Sequence, residues 1–171
     1  MTALVLLAVL SAEPVVHDDA ISLEIPGMFS GAFEMNAERR FDPHFSALLA
    51  AGTRTTLGGD FRSAGFAAGV GVRYWLGRWV LDSMRGVGGP VATLRFDVNW
   101  VEVWRIGDSH KLDEAVAQLS LRLGYRLVFF ERIELTLEIG PGASFMLDGA
   151  PFVSGRPRTD VVYGLTGGYL F

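Results

Sequence analysis

The sequence predicts an all-β protein: an antiparallel up-and-down transmembrane β-barrel of eight strands. Three observations predict it. Apolar and polar residues alternate with a period of two through almost every segment after residue 20. After the first dozen residues, no apolar run reaches the roughly 18 residues that a membrane-spanning helix needs. Of the 15 Lys and Arg residues only Lys111 is a lysine, which indicates that little of the chain faces bulk water.

The first residues have the pattern of a secretory signal peptide. An apolar core at residues 3–10 is followed by the small residues Ser11 and Ala12 and by Pro14. We therefore predict a signal peptide at residues 1–12 and a single barrel domain at residues 13–171. A short buried helix is the alternative interpretation of this segment.

Seven segments alternate, with HFSALLAAGTRTTL weaker than the others, and an eighth is shorter. The seven are MFSGAFEMNAER, HFSALLAAGTRTTL, AGFAAGVGVRYWL, TLRFDVNWVEVW, EAVAQLSLRLGYRLV, RIELTLEIGPGASF and the C-terminal YGLTGGYLF. The eighth is AISLEI (residues 20–25), which precedes the turn residues Pro26-Gly27. Residues 20–38 could instead form one long, kinked strand. An even number of strands is usual in bacterial barrels, which favours eight.

The connections are mostly short on one side of the barrel and longer on the other. On one side the predicted connections are tight turns, FFER (129–132) and RRFDPH (39–44). On the opposite side they are two longer polar loops, 106–114 and 147–160, and the LGGD turn (57–60). This asymmetry is typical of outer-membrane barrels, which have short periplasmic turns and longer outer loops. The connection at residues 77–90 is long although it lies on the side with the short turns. We predict an insertion there, with one helical turn at 79–84.

The composition of the polar face predicts which face points inward. A soluble barrel such as a lipocalin has its apolar face inside and a charged exterior. Here the polar face consists of Gly, Ala and Ser with single Arg and acidic residues, which suits a narrow lumen where charges must pair. The predicted lumen charge network contains Glu34, Arg54, Arg73, Arg95, Asp97, Arg122, Arg126, Glu134 and Glu138. Aromatic residues near strand ends are expected on the lipid-facing side: Tyr74, Trp100, Trp104, Tyr125, Tyr163, Tyr169 and Phe171.

One hairpin allows a prediction of register. Symmetric pairing about Phe130 places Arg126 opposite Glu134 and Arg122 opposite Glu138. The same register gives the apolar pairs Leu127–Ile133, Tyr125–Leu135 and Leu123–Leu137. Inside a narrow lumen such ion pairs are required, because an unpaired buried charge is strongly destabilising.

The C-terminus resembles the β-signal of bacterial outer-membrane proteins, in the alternate residues Tyr163, Leu165, Gly167, Tyr169 and Phe171. More broadly, the chain resembles small uncharacterised outer-membrane β-barrel proteins. These share a Glu-Arg turn motif with a following Pro (Glu38-Arg39 and Pro43) and an R-Y-W/Y-L strand end (residues 73–76), and the barrel is similar in size to OmpA- and OmpX-type domains. The resemblance implies an outer-membrane location, contact with membrane lipid, recognition by the barrel assembly machinery and a monomeric state.

Three groups of residues could carry chemistry. Asp108-Ser109-His110 lies in a predicted outer loop, and some eight-stranded barrels are lipid A acyltransferases, but adjacent loop residues are more often simply hydrophilic. His44-x-Ser46 has the spacing of lipid A deacylases but lies at a predicted periplasmic turn. His17 with Asp18-Asp19 could bind a cation, although a solvated segment is the simpler interpretation.

These observations favour a structural or surface-interaction barrel whose lumen is closed by the Arg/Glu network, and not an enzyme. The net charge of −4 provides no basic stripe for nucleic acid, and with no Cys and no phosphate-binding Gly loop we expect no cofactor. The alternatives are a lipid-modifying enzyme and a narrow pore. The pore is considered because several predicted inward glycines leave one side of the lumen thinly filled: Gly65, Gly69, Gly71, Gly164 and Gly168.

Overall fold

The chain forms a closed barrel of eight antiparallel strands. The computed structural model describes residues 19–25, 32–58, 61–77, 79–81, 86–105, 111–147 and 158–171. Its strands are β1 (Asp19–Glu24), β2 (Phe33–Arg40), β3 (Phe45–Gly58), β4 (Phe61–Trp75), β5 (Trp79–Leu81), β6 (Gly86–Arg105), β7 (Lys111–Phe129), β8 (Ile133–Met146) and β9 (Arg158–Leu170). Strand β1 pairs with both β2 and β9, and β4 pairs with β6, so all strands except β5 form one ring. The predicted fold class is confirmed.

The short first strand is separate from the second. Residues of β1 pair antiparallel with β2, from Asp19 opposite Arg39 to Leu23 opposite Met35. The alternative of one kinked strand over residues 20–38 is therefore wrong. The predicted Pro26-Gly27 turn lies outside the described residues.

The insertion on the turn side contains a strand and not the predicted helical turn. Residues Trp79–Leu81 form β5, which pairs antiparallel with Gly86–Gly88 at the start of β6. Strand β6 begins at Gly86, whereas its pairing with β4 begins only at Val91, which lies opposite Trp75 at the end of β4. The first five residues of β6 therefore extend beyond β4. This leaves a backbone edge on β6 to which residues 79–81 can hydrogen-bond. Residues 82–85 lie outside the described part.

The register of the β7–β8 hairpin differs by two residues from the predicted one. Phe129 pairs with Ile133, so the hairpin is symmetric about Glu131 and not about Phe130. The turn closes with the Arg132 N–H donating to the Phe129 carbonyl at 3.0 Å, and both Phe130 and Glu131 have positive φ. Because the loop takes three residues, the directly opposite apolar pairs become Leu127–Leu135, Tyr125–Leu137 and Leu123–Ile139.

The two faces of the barrel wall differ in polarity as predicted for a membrane barrel. Large apolar side chains point outward, and Leu123, Leu137 and Ile139 are each more than half exposed. Polar side chains point inward, and Arg126 and Glu134 are each 2% exposed. A lipocalin-like arrangement, with the apolar face inside, is therefore wrong. Within the described ranges, no helix has the length and hydropathy to cross a membrane.

The predicted outward aromatic residues lie on the outer face. Of these, five are exposed (Trp100, Tyr125, Tyr163, Tyr169 and Phe171), while Tyr74 and Trp104 are partly covered. Tyr74 packs against Phe45 with a centroid distance of 4.7 Å, and Trp100 stacks on Phe66 at 4.8 Å. These contacts lie across neighbouring strands, where aromatic pairs stabilise a sheet.

Candidate functional site

The half of the lumen nearer the short turns contains a group of charged residues that we call the turn-end cluster: Glu38, Arg73, Arg126, Glu134 and Glu138. Arg126 donates to Glu38 at 2.5 Å and also bonds to Glu134. Arg73 bonds to Glu38 and lies 3.3 Å from Glu138. These contacts join β2, β4, β7 and β8 across the interior, so the cluster spans the barrel and does not merely line its wall.

Glu38 is the centre of the turn-end cluster. Its carboxylate accepts from Arg73, Arg126 and the Ser46 hydroxyl, which lies 2.5 Å from Oε1. The nine residues of the predicted network did not include Glu38, although the sequence groups it with Glu34, Glu134 and Glu138 as carboxylates that the inward arginines would neutralise. The signal that identifies it is its spacing from Glu34, because residues four apart in a strand share a face.

The other half of the lumen contains the loop-end cluster: Glu34, Arg54, Arg95, Asp97 and Arg122. Arg95 contacts Glu34 at 2.6 Å and Asp97 at 2.7 Å. Arg122 lies 3.7 Å from Asp97, and Arg54 lies 3.8 Å from Glu34. Arg95 thus makes close contacts with two carboxylates, whereas the ion pairs of Arg54 and Arg122 are long.

The structure brings all nine residues of the predicted network to the inner side of the wall, but it does not pair them all as predicted. Arg126 and Glu134 are in contact although they are not directly opposite. Arg122 does not pair with Glu138, because Gly124 stands opposite Glu138 in the actual register. Instead Arg122 pairs with Asp97, and Glu138 pairs with Arg73.

Inward glycines make room for the carboxylates. A Cβ at Gly69 would collide with the Asp97 carboxylate, and one at Gly168 would lie 2.8 Å from Glu134 Oε1. Both glycines were expected to leave the lumen thinly filled. That expectation is wrong at these two positions, because acidic side chains from the neighbouring strands occupy the space. Gly164 has more room, since an added Cβ would meet Arg122 Nη1 at 3.4 Å and no other atom of the described residues within 4 Å.

An apolar group closes the lumen at its turn end. Trp75, Val87, Val91, Val128, Ala20 and Leu170 are all buried and form one cluster. The Arg126 guanidinium lies 5.2 Å from the Trp75 ring centroid, within range of a cation–π contact. Trp75 lies two residues after Arg73, and residues two apart in a strand point to the same face. This alternation could have assigned Trp75 to the lumen from the sequence. The lumen is thus closed first by ion pairs and then by packed side chains.

The sequence candidates for catalysis are not brought together. Ser46 is fully buried and bonds to Glu38, whereas His44 is exposed and lies against Tyr74 at a ring distance of 5.8 Å. His17, Asp18 and Asp108-Ser109-His110 lie outside the described residues. Over the ranges that the structure describes, no group of three or more His, Cys, Asp or Glu residues could hold a metal ion.

A cavity of about 340 Å³ lies on the loop side of the loop-end cluster. Its charged lining residues are Glu24, Glu34, Arg54, Arg122 and Asp160. The space between the two clusters is about 10 Å³. Among the described residues, the interior is therefore nearly filled between the clusters, and the apolar group closes it towards the turn end.

An eight-stranded barrel with an apolar exterior and a charged, filled interior has the architecture of small transmembrane barrels. The structure is similar to the crystal structure of the N-terminal β-barrel domain of OprF from Pseudomonas aeruginosa. The TM-score is 0.62 at 11% sequence identity, and the match covers 91% of this chain and 98% of the OprF domain. No protein-family model matches the sequence, and no curated protein matches it. The similarity to OprF shows the fold.

Proposed function

We propose that this chain is a small bacterial outer-membrane β-barrel of structural or surface-interaction type, and that its lumen does not conduct ions. The observation that carries the proposal is the turn-end cluster, in which Arg73 and Arg126 bridge carboxylates from different sides of the barrel. Water and ions would have to break these pairs to pass, and breaking a buried ion pair costs about 3–5 kcal/mol.

The outer-membrane location is supported by the exterior and by the OprF-like fold. Exposed Leu, Ile, Phe and Val side chains cover the outer face, whereas a soluble monomer rarely exposes so large an apolar surface. The short turns would face the periplasm and the longer connections the cell surface, as in other barrels of this architecture. The barrel's lipid neighbours and a monomeric state follow from the same proposal.

The C-terminal residues would act as the signal for the barrel assembly machinery. Tyr163, Tyr169 and Phe171 are exposed on the outer face, and Phe171 is joined to β1 by its backbone N–H, 3.0 Å from the Asp19 carbonyl. The exposed Phe171 side chain therefore adds little to the fold. Phe171→Ala should leave refolding of the pure protein unchanged but reduce its assembly in the membrane of cells. If refolding and assembly were reduced equally, Phe171 would not act as an assembly signal.

Planar-bilayer recording tests the closed lumen. We expect no stepwise conductance from the wild-type barrel at ±100 mV, a voltage worth about 2.3 kcal/mol per elementary charge. A Glu38→Ala/Arg73→Ala/Trp75→Ala triple variant removes one ion pair of the turn-end cluster together with the largest side chain of the apolar group, and it should produce small conductance steps. Stepwise conductance of the wild type would contradict the proposal. A heat-shifted gel band confirms that each sample contains a folded barrel.

A further inference from the structure

Arg132 lies at the edge of the apolar band on the outer face of β8. It is exposed and directly precedes the strand. The outward residues that follow it are all apolar and at least 36% exposed: Ile133, Leu135, Leu137 and Ile139. In a membrane barrel the apolar band ends where hydrocarbon meets the lipid headgroups. Arg132 therefore belongs at the level of the headgroups.

The backbone of Arg132 is held by the β7–β8 turn and by β9. Its N–H donates to the Phe129 carbonyl at 3.0 Å, and its carbonyl accepts from the Leu170 N–H at 2.7 Å. The two turn residues before it, Phe130 and Glu131, have φ values of 50° and 64°, which allows the tight reversal of the chain. The guanidinium is thus carried on a part of the wall whose backbone is fixed on both sides.

The Arg132 side chain lies on the outer face of the wall and not in the lumen. By the alternation of β8 it would point inward, as Glu134 does, but the apolar group that includes Leu170 occupies the interior at this end. Its Nη1 instead donates to the Tyr169 hydroxyl at 2.7 Å, and its guanidinium carbon lies 5.8 Å from the Tyr169 ring centroid. Tyr169 points outward and is 46% exposed. The cation thus rests against a lipid-facing aromatic ring.

The Arg132–Tyr169 pair provides hydrogen-bond donors from two side chains at one place. Because the phenol oxygen accepts from Arg132, the hydrogen of the hydroxyl can donate to another acceptor. The guanidinium has several further N–H donors besides the one that bonds to Tyr169. Among the described residues Arg132 forms no ion pair with a carboxylate, whereas Arg73 and Arg126 in the lumen each contact two. A positive charge with an adjacent hydroxyl donor suits a phosphate oxygen.

We propose that the Arg132–Tyr169 pair binds the phosphate of a phospholipid in the periplasm-facing leaflet. The phosphate accepts from the guanidinium and from the phenol. The acyl chains pack along the apolar wall on either side of Tyr169, which lies opposite Ile133 of β8 and Ile21 of β1. A lipid fits better than a soluble phosphate, because the apolar wall begins at the residue next to the cation. This inference rests on the proposed membrane location.

Native mass spectrometry of the refolded barrel with added phosphatidylglycerol tests the site. We expect one retained lipid per wild-type barrel, with retention about ten-fold lower in Arg132→Gln and about three-fold lower in Tyr169→Phe, which loses only a neutral donor. Arg158→Gln is the matched control and should retain lipid as the wild type does, because Arg158 is exposed at the loop end and pairs with Asp160. Equal retention in the two arginine variants would overturn the proposal, as would no retained lipid in the wild type.

The class of ligand is tested separately. Diacylglycerol with the same acyl chains has no phosphate, and the wild type should retain it about ten-fold less than phosphatidylglycerol. Equal retention of both lipids would overturn the phosphate site. Glycerophosphoglycerol, the same headgroup without acyl chains, should not displace the lipid at equal concentration, and displacement would identify a soluble phosphate ester as the ligand and refute the lipid. Only samples with a heat-shifted gel band are compared, so failure of the barrel itself is recorded independently.

Discussion

Glu38→Gln should be the most damaging single charge removal in the lumen. The carboxylate contacts Arg73, Arg126 and Ser46, and Glu38 is only 8% exposed. Removing one partner of a buried ion pair costs about 3–5 kcal/mol. Both arginines keep a second carboxylate, Glu138 and Glu134 respectively, so we expect the lower end of that range, about 3 kcal/mol.

The assay is urea unfolding of the barrel in phospholipid vesicles, followed by tryptophan fluorescence. Glu131→Gln is the matched control, because Glu131 is exposed in the β7–β8 turn, and it should change the free energy of unfolding by no more than about 0.5 kcal/mol. The double variant Glu38→Gln/Arg126→Gln should lose less than the sum of the two single variants. A loss below about 1 kcal/mol in Glu38→Gln would contradict a central role of Glu38 in the turn-end cluster, since it would mean that water replaces the carboxylate at little cost.

Three further substitutions test other parts of the structure. Gly69→Ala should lower the free energy of unfolding by about 1–3 kcal/mol, because the added Cβ would collide with the Asp97 carboxylate. Gly77→Ala is the control and should be nearly neutral, because a Cβ there would meet no atom of the described residues within 4 Å. Equal effects of the two substitutions would contradict the packing of Gly69 against Asp97. Trp75→Ala should cost about 3–5 kcal/mol in the same unfolding assay, and a loss below about 1 kcal/mol would show that the apolar cluster is not packed. Leu137→Arg should cost about 2–4 kcal/mol in vesicles if Leu137 faces the bilayer midplane, and a neutral result would place it in water.

The faces of the strands could be predicted from the sequence because side chains alternate strictly with a period of two. Arg73, Arg126 and Glu134 were assigned to the interior from the alternation together with the composition of the polar face, and they are buried there. The alternation does not predict which residues of two neighbouring strands lie opposite each other, because a shift of two residues keeps every side chain on its face. The β7–β8 hairpin shows this, since it is centred on Glu131, one residue later than expected, which shifts the register by two residues and leaves every side chain on its predicted face.

Contacts across the barrel could not be predicted for a related reason. Glu38 and Arg126 are 88 residues apart, and their contact depends on the height at which each strand crosses the barrel. That height is set by strand tilt and by the accumulated register of every pair around the ring. The short first strand, by contrast, could be predicted, because the alternation in residues 20–25 is short.

Refolding with and without detergent distinguishes a membrane-spanning barrel from a soluble one. The chain from residue 13 onward is diluted from urea into buffer or into micelles, then compared by far-UV circular dichroism and by gel migration before and after boiling. We expect a strand spectrum and a faster-migrating unboiled band only in micelles, because the apolar outer face requires a lipid-like environment. A chain that folds equally well in plain buffer would contradict a membrane-spanning barrel with a charged, closed lumen.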